Sequence, residues 1–584
     1  MAKSIVLSGF KTHIAAQLKE SFTEPANNIY YVFAGKPTSY LTSAVPAPED
    51  TVQTTVFDAY DNMVFGKRIT GDDVVLMVPR VDWVANTTYV SYDSSNSLFG
   101  SSFYATVNAT SQYHVFKCLD NSNNSPSNIQ PDITQTSADD EYYSTADGYV
   151  WKYMFTTPKA TWDKFTTPEY MPIVDNANVV GNAVSGSIDV IRVQSGGSGY
   201  SAVINGTFSA TQIAIGGDPT KYEIASTASA DNQFYFDSLL YISSGTGSGQ
   251  YRRITDYNGT YKRVTIESAF STAPSNTSIY EITPSIKIRG NGSDAAARAL
   301  VNTQSSNSIY QIEILNRGSG YSYANLMIGA NTGGISNAAV LLPVFSPNRG
   351  HGSNAALELG ATSIGIGVTF ANNESGRIPT ENDIRMIGIL KDPLYANVAL
   401  TLNSSSISGT FIAGETVSQA TSNATGVVTS LLGSTLTITN VDGDFATGKV
   451  VTGSSSSAHA NIVSYLISGQ SKDFTTFDQR SRYVVEYISG SFIPDEPVYQ
   501  SEMVLANGYF HSNTADFFSL IDVRGTMNSG ELIVGNTSAA IANVTGSVAP
   551  DLIKYSGDIV YIENTEAISR SNTQSETIKV VLKF

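Results

Sequence analysis

The sequence predicts an all-β protein of several domains, built mainly from antiparallel, β-sandwich-like sheets, with one short helix at its N-terminus. The first observation is composition: 584 residues include 32 Tyr, 25 Phe and 47 Gly. Aromatic residues suit strands, and glycine suits turns. The second is a recurrence of short apolar runs between polar loops, and the third is an internal repeat. We expect about three to five domains, at roughly 100–200 residues each.

Charge and cysteine content narrow the function classes. Charged residues are 15% of the chain, below the ~25% typical of soluble domains, which favours a surface largely buried in neighbouring proteins. The net charge of −17 comes without a basic face, so we expect no nucleic-acid partner. The single cysteine excludes an intramolecular disulfide. No apolar run approaches the ~20 residues of a membrane helix and no signal peptide is recognisable, so we expect no membrane partner and assembly in a cytoplasm.

The first 183 residues are predicted to contain the helix, followed by strands and polar loops. Apolar residues recur every fourth position within Gly9–Phe22, which predicts a helix with one apolar face, formed by Phe10, Ile14, Leu18 and Phe22. Continuous or alternating apolar runs predict strands at Ile29–Ala34, Tyr113–Leu119 and Tyr149–Phe155, and a last strand at Thr577–Phe584.

Trp151 is predicted to anchor a core within the third of these strands. Side chains alternate between the two faces of a strand, so Tyr149 and Tyr153 should share its face. Val150, Lys152 and Met154 should lie on the other face. The same strand should end at the Thr-Thr-Pro segment 156–158.

The segment 184–345 is richer in glycine and serine and carries one motif twice. Each copy, Ile191–Tyr200 and Ile312–Tyr321, is predicted to be a short strand, a glycine turn and a tyrosine. Between them, the glycines of Gly245–Gly249 resemble a phosphate-binding loop. The third glycine comes two residues after the second, whereas a dinucleotide-binding motif needs it three residues after, so a hairpin turn is favoured. Asn258-Gly259 predicts a second hairpin.

The segment 401–547 is predicted to be a duplicated unit of about 80 residues. A nine-residue pattern, Gly-x-[Phe/Met]-x-x-[Gly/Asp]-[Glu/Lys]-x-[Val/Ile], begins at Gly409, Gly443, Gly490 and Gly525. The first and third copies are 81 residues apart, and the second and fourth are 82 apart. Both units should adopt one β-fold, with the leading glycines in tight turns and the third pattern position in a small core, at Phe411, Phe445, Phe492 and Met527.

No catalytic, cofactor or metal site is predicted. The five histidines, at 13, 114, 351, 459 and 511, show no pair at metal-ligand spacing, and no Gly-x-Ser-x-Gly elbow occurs between a strand and a helix. The acidic run Asp139–Glu141 could bind calcium, although a solvated loop is favoured. The same holds for Asp72-Asp73.

Five separated blocks resemble a known family. In chain order they are Val78–Trp83, Val115–Asp120, Asp147–Phe155, Ile384–Leu394 and Tyr555–Asn564, with the strand 577–584 closing the chain. Together and in this order they resemble the gene-eight baseplate wedge protein of T-even-type contractile-tailed bacteriophages. The residues that carry this resemblance, and that we expect to be structural, are Arg80, Asp82, Trp83, Cys118, Asp147, Gly148, Tyr149, Trp151, Tyr153, Pro393, Ser556, Gly557, Tyr561, Glu563 and Asn564. Within this set, Arg80 and Asp82 should form either an interface pair or a local loop clamp, with the clamp favoured.

The resemblance implies a structural role in the virion, without catalysis or cofactors. It implies a family core of 1–183, 346–400 and 548–584, interrupted by inserted β modules at 184–345 and 401–547. It also implies a homodimer that contacts the gene-seven, gene-ten and gene-six wedge proteins in the tail baseplate.

Two other functions stay open at this point. The β modules, with many Tyr and Asn, could make the chain a peripheral receptor- or glycan-binding tail protein. A polysaccharide hydrolase would need two carboxylates facing one cleft, about 5–9.5 Å apart.

Overall fold

The computed structural model of the chain describes residues 5–24, 28–51, 55–96, 98–135, 142–329, 335–374, 378–380, 383–394, 396–442, 445–466, 475–500, 506–513, 518–548, 550–571 and 573–584. Strands account for 47% of the chain and helices for 10%, which confirms the all-β prediction. Gly443 and the acidic run Asp139–Glu141 lie outside the described residues.

The described part contains five α-helices and thirty-six strands. The helices are α1 (Ser8–Thr23), α2 (Phe57–Asn62), α3 (Lys159–Phe165), α4 (Ala177–Gly181) and α5 (Ala355–Leu359). The strands as far as residue 345 are β1 (Tyr30–Gly35), β2 (Met63–Arg68), β3 (Val74–Pro79), β4 (Tyr104–Ala109), β5 (Gln112–Asn121), β6 (Tyr142–Ser144), β7 (Tyr149–Pro158), β8 (Tyr170–Pro172), β9 (Ile188–Ser195), β10 (Ile204–Thr207), β11 (Lys221–Glu223), β12 (Ser238–Ser244), β13 (Tyr251–Asn258), β14 (Arg263–Ile266), β15 (Ile279–Gly290), β16 (Ala296–Asn302), β17 (Ser308–Asn316), β18 (Ala324–Gly329) and β19 (Val340–Phe345).

The remaining strands are β20 (Ser363–Ala371), β21 (Asp383–Lys391), β22 (Val398–Leu402), β23 (Thr416–Gln419), β24 (Ala424–Leu432), β25 (Thr435–Asp442), β26 (Val450–Gly453), β27 (His459–Leu466), β28 (Thr476–Asp478), β29 (Ser481–Ser489), β30 (Pro497–Gln500), β31 (Ala506–Asn513), β32 (Phe518–Gly525), β33 (Leu532–Gly535), β34 (Ile541–Val548), β35 (Asp558–Ser569) and β36 (Ser575–Lys583). The chain divides into two compact units, Met1–His13 with Leu76–Ser363 and Ile14–Val75 with Ile364–Phe584. The division into five sequence segments stays a prediction.

A four-stranded sheet of order β4-β5-β7-β6 belongs to the first unit. Trp151 on β7 has no exposed surface, and Tyr149 and Tyr153 join it in one core on the same face of the sheet. Val150 and Met154 belong to a separate core on the opposite face. The predicted distribution of side chains around Trp151 is therefore confirmed.

The same unit contains the glycine-rich segment, where β9 pairs with β19 and a larger sheet has the order β11-β14-β13-β12-β15-β16-β17. The run Gly245–Gly249 forms the turn between the antiparallel strands β12 and β13, so the hairpin prediction is confirmed. Asn258-Gly259 likewise begins the turn between β13 and β14. In the two motif copies, Tyr200 and Tyr321 are both buried in one core.

A five-stranded sheet of order β28-β2-β1-β21-β35 organises the second unit. It joins a strand near the N-terminus to one near the C-terminus through β21. Phe33 on β1 lies opposite Gly388 on β21, and a Cβ at position 388 would stand 2.2 Å from the Phe33 ring. Glycine is therefore needed here because the aromatic ring of the next strand covers its backbone.

Two closed six-stranded barrels occupy residues 398–466 and 481–548. Their orders, β22-β25-β24-β23-β26-β27 and β29-β32-β31-β30-β33-β34, are equivalent strand by strand, which confirms that both repeat units adopt one β-fold. Phe411, Phe445 and Met527 are buried in the barrel cores, whereas Phe492 is only partly buried against its core. The leading glycines have left-handed backbone conformations with φ of 78°, 77° and 79° at 409, 490 and 525, where a side chain would be strained.

Three details of the sequence prediction are wrong. Helix α1 covers the predicted range, but Phe10 is 57% exposed, and only the later stripe residue Phe22 is fully buried. The 3.6-residue period identifies a helix face without showing how far a packing partner extends along it. Strand β7 continues through Pro158, because Thr156 and Thr157 keep their pairing with β5. Strand β36 ends at Lys583, so Phe584 lies outside it.

Candidate functional site

Five ionisable side chains meet in the interior of the first unit. This charge cluster consists of Lys117 on β5, Lys152 on β7, Asp189 on β9, His351 in the loop before α5, and Glu358 in α5. Each of the five side chains has at most 5% of its surface exposed. Charged side chains are rarely buried to this extent unless they are paired, so their contacts decide what the cluster can do.

The two lysines share the two carboxylates. The Nζ of Lys152 lies 2.7 Å from Oδ1 of Asp189. The Nζ of Lys117 lies 2.6 Å from Oε1 of Glu358 and 3.6 Å from Oδ2 of Asp189. Lys117 and Lys152 are themselves cross-strand partners on β5 and β7. Like charges directly opposite each other destabilise a sheet, and Asp189 relieves this repulsion because it contacts both ammonium groups.

Burial and opposite charge compete in setting the pKa values of the four charged groups. Burial lowers the pKa of Lys152 below its ordinary value, since its one carboxylate partner is shared with Lys117. Burial also opposes the charge of Lys117, but Glu358 and Asp189 outweigh it and raise the pKa of Lys117. Burial would raise the pKa of both carboxyls. The facing ammonium groups outweigh burial and hold the pKa of Asp189 and Glu358 below the usual range.

Both ring nitrogens of His351 face acceptor oxygens, and a neutral ring can donate a hydrogen bond to only one of them at a time. Its Nδ1 lies 3.1 Å from Oε1 of Glu358 and its Nε2 lies 2.7 Å from the carbonyl oxygen of Tyr153. Burial, followed by the charges of Lys117 and Lys152, lowers the pKa of His351, which favours the neutral ring. With a neutral histidine the cluster contains two positive and two negative groups.

Asp189 has one oxygen fully engaged and one that is not. Its Oδ1 accepts hydrogen bonds from Lys152 and from the hydroxyl of Ser346, the latter at 2.7 Å. Its Oδ2 is buried and accepts no hydrogen bond from any residue that the structure describes, and Lys117 Nζ is the charged group that faces it. Burying a carboxylate oxygen without a hydrogen bond costs free energy. The ammonium group of Lys117, which faces this oxygen, is therefore of functional interest.

Two cavities border the cluster. One, of about 300 Å³, is lined by Lys152, His351, Ser187, Ser346 and Arg317 among others. The second is an open groove of about 400 Å³, lined by Tyr92, Phe99, Phe103, Arg349 and Asn354 among others, and Glu358 is the one carboxylate among the described residues that line it. The ring of Tyr92 also lies 4.1 Å from Lys117 Nζ, a cation–π contact between the lining of this groove and the cluster.

The signature residues are those that carry the family resemblance, and the first group of them surrounds Asp147. The side chain of Asp147 clamps a loop. Its Oδ2 accepts hydrogen bonds from Ser127 Oγ at 3.2 Å and from the amides of Asn128 and Ile129 at 2.7 and 3.0 Å. Ser127 also accepts a hydrogen bond from the indole of Trp83. Gly148 follows with φ of 85°, and a Cβ there would lie 2.5 Å from Ser122 Oγ.

The signature aromatic residues form the core beneath this loop. Tyr149 stacks on Trp151 with ring centroids 5.4 Å apart, and its hydroxyl donates to the carbonyl of Ser125 at 2.5 Å. Tyr153 reaches the hydroxyl of Thr156 at 2.7 Å. Cys118 is buried in the same core, and burial raises the pKa of its thiol. These residues support packing.

Arg80 and Asp82 form a local clamp. The two side chains make paired contacts of 3.0 and 2.8 Å on an exposed loop, and the Arg80 guanidinium lies 5.3 Å from the Trp162 ring. The favoured alternative, a loop clamp, is therefore the arrangement found.

The second group of signature residues lies in the second unit. Ser556 Oγ accepts from the amide of Leu394 at 2.9 Å, and a Cβ on Gly557 would lie 2.9 Å from the nitrogen of Pro393. Further along β35, Tyr561 donates to Glu563 at 2.7 Å, and Asn564 donates to the carbonyl of Pro46 at 2.9 Å. The blocks 384–394 and 555–564 therefore meet along the paired strands β21 and β35.

No family model matches this chain, and no curated protein matches it in sequence.

The described residues hold no group of three or more His, Cys, Asp or Glu side chains that could bind a metal ion. At the acidic pair Asp72-Asp73, Asp73 instead accepts two hydrogen bonds from Thr70 and closes a turn. In the part of the chain that the structure describes, no helix is long and apolar enough to cross a membrane.

Sequence reasoning missed the charge cluster. It placed Lys152 on the face of β7 opposite Trp151 but assigned no partner to it. Asp189 is 37 positions away from Lys152, and Glu358 is 241 positions away from Lys117. Lysines in otherwise apolar strands were the available signal, because an inward-facing lysine requires a buried carboxylate.

Proposed function

We propose that this chain is a structural subunit of a contractile phage tail, a baseplate wedge protein of the gene-eight type. The observation that carries the proposal is the placement of the five blocks that resemble this family. Three of them form one continuous region of the first unit around β5, β7 and the Asp147 loop, and two pair along β21 and β35. Blocks far apart in sequence thus build shared sheets, as expected for a scaffold.

The two barrels support a division of labour. Each barrel is closed on itself and has its own apolar core, whereas the blocks of the resemblance belong to the open sheets. In this proposal the open sheets provide the contacts within the wedge, including homodimerisation and contacts with the gene-seven, gene-ten and gene-six types of protein. The barrels decorate this scaffold.

Gold-labelled antibodies against the purified chain, applied to virions of the phage that encodes it, test the proposal. Label at the baseplate, together with a solution mass twice the 62.3 kDa of one chain by light scattering, is the expected result. Label confined to the fibre tips contradicts the proposal, and so does the absence of label on the virion.

One observation favours a second function, glycan binding at the tail periphery. The groove of about 400 Å³ combines Tyr92 and Phe99, a residue that is 57% exposed, with amide, hydroxyl and guanidinium groups. Aromatic faces with surrounding polar groups suit sugar rings. A glycan array probed with the chain and with Phe99→Ala separates the two functions: specific binding that the variant loses supports the second.

A further inference from the structure

We propose that the side chains of Lys152 and Asp189 become joined by an intramolecular amide bond, formed by the folded chain itself with loss of water. The site is the charge cluster described above. The bond would link strand β7 to strand β9.

The two reacting groups lie close together and are shielded from solvent. Lys152 Nζ and Asp189 Oδ1 are 2.7 Å apart, and the side chains are 5% and 0% exposed. Both residues lie on strands and both side chains are buried, which restricts how far the amine can move from the carboxyl group. Groups held at reacting distance gain a large advantage over the same groups free in solution.

One proton must move within the pair before the reaction can occur. Amide formation needs a neutral amine, and burial already lowers the pKa of Lys152. Its proton has a direct path to Asp189 along their hydrogen bond. Because the neighbouring lysines hold the pKa of Asp189 low, the neutral pair is the minor form and the reaction should be slow.

Lys117 stands where charge develops. As the amine attacks Cγ, negative charge grows on Oδ2, the oxygen that accepts no hydrogen bond. Lys117 Nζ lies 3.6 Å from this oxygen, and Glu358 at 2.6 Å keeps Lys117 protonated. An ammonium group aimed at an oxyanion in a buried site is a strong source of transition-state stabilisation.

The chemistry balances without a further reactant. The ammonium proton passes to Oδ1, the nitrogen lone pair forms the N–Cγ bond, and the Cγ–Oδ1 bond breaks. Oδ1 leaves as water with the transferred proton and a second proton from nitrogen, and Oδ2 becomes the amide oxygen. The cavity of about 300 Å³ that Lys152, Ser187 and Ser346 line gives this water a place to go.

The product improves the electrostatics of the interior. One buried cation and one buried anion disappear, and Lys117 with Glu358 remain as a balanced pair. Since a buried ion pair is often worth less than the desolvation it costs, this loss of charge favours the linked form.

The test is the mass of the intact purified chain. The expected mass is that of the sequence minus one water molecule, and a protease digest should contain a branched peptide with Lys152 joined to Asp189. Lys152→Arg should retain the full mass. Asp189→Asn should give the same linked product through loss of ammonia. Glu358→Gln should slow the loss of water after unlinked protein is refolded.

The pair Lys159 and Asp163 is the internal control. Its nitrogen–oxygen distance is also 2.7 Å, but both side chains are more than half exposed, so no link is expected there. A wild-type chain that keeps its full mass after prolonged incubation in the folded state overturns the proposal. A branched peptide that joins other residues of the cluster overturns the assignment to Lys152 and Asp189.

Discussion

Trp151 combines complete burial with an indole N–H that has no hydrogen-bond partner among the described residues. The ring lies between Tyr149, stacked at 5.4 Å, and Tyr89, which meets it edge-on at 5.4 Å. Its contribution to stability therefore comes from packing, and the unpaired donor subtracts from it. The two effects can be separated by substitution.

Trp151→Ala should lower the free energy of unfolding by roughly 3–5 kcal/mol, the range for a large aromatic residue removed from a packed core. Trp151→Phe should cost less, because it keeps an aromatic ring and removes the unpaired donor. Denaturant unfolding of both variants measures this. A loss below about 1 kcal/mol for Trp151→Ala, within the range of surface substitutions, would contradict the packing role.

One glutamate in each barrel makes the same clamp. Glu415 accepts hydrogen bonds from the amides of Ile412, Ser455 and Ser456 and from the Ser456 hydroxyl. Glu496 has the equivalent four contacts with Ile493, Thr537 and Ser538. Burial would raise the pKa of both carboxyls, but these donors outweigh it and lower the pKa.

Glu415→Gln and Glu496→Gln should each destabilise their barrel by about 1–3 kcal/mol, since charge-assisted hydrogen bonds are lost. When folding lowers the pKa of a carboxyl, the ionised group stabilises the folded state at pH values above its unfolded pKa. This stabilisation is lost as the pH falls through the folded pKa. The wild-type advantage should therefore shrink in acid. Glu486→Gln, at an exposed position of β29, is the control and should change little. Equal effects at 415 and 486 would refute the clamp.

The elements differ in how far the sequence could predict them. Alternation and turn residues were sufficient for β1, β5, β7 and β36, because each strand's pattern is local. The equivalence of the barrels could be predicted because the repeat offset reports a shared fold. Short helices such as α3 were missed, since seven residues are too few for a clear helical period. Closure of the barrels depends on pairing between distant strands, which no local pattern contains.

Each barrel begins and ends at neighbouring points. Ala399 pairs with Leu466 in the first barrel, and Arg482 pairs with Val548 in the second. Between the barrels, β28 pairs with β2, and its Phe477 has no exposed surface. The connecting strand therefore belongs to the five-stranded sheet, although it lies within the segment 401–547.

Replacing residues 399–466 by a short loop should leave the rest of the chain folded, because the removed ends are adjacent in space. Soluble protein with an unchanged oligomeric state is the expected result by light scattering. Deleting residues 475–480 as well is the contrasting variant and should reduce solubility, since it removes β28. If both deletions behave alike, β28 is not part of the scaffold.

Deleting residues 577–584 should expose an edge of β20, which pairs with β36. An uncovered strand edge promotes aggregation, so we expect insoluble protein. Expression of the truncated chain with a fractionation assay measures this. A soluble truncation with the thermal stability of the full chain would contradict it.

At the scale of the whole molecule, acid should weaken both units through buried histidines, His351 in the first unit and His511 in the second, because burial lowers the pKa of each ring. Folding lowers the pKa of His351, so the neutral ring contributes fully to the stability of the folded state above the ordinary histidine pKa of about 6.5. This contribution is lost as the pH falls below that value. The lowered pKa of Glu358 adds a loss at more acid pH. Thermal unfolding between pH 7.5 and 4 should show a falling midpoint, and His351→Gln should flatten the upper part of this fall. A midpoint that rises on acidification would contradict the buried neutral histidine.

The way each barrel is attached also decides how it responds to force. Its first and last strands are antiparallel neighbours, so tension along the chain pulls their adjacent ends apart. The hydrogen bonds between them run across the strands and would break one after another, not all together. Strand β1, bonded on both sides within its sheet, has no such sequential route. Under mechanical load the barrels would therefore open first and lengthen the chain, while the sheet that joins its two ends holds.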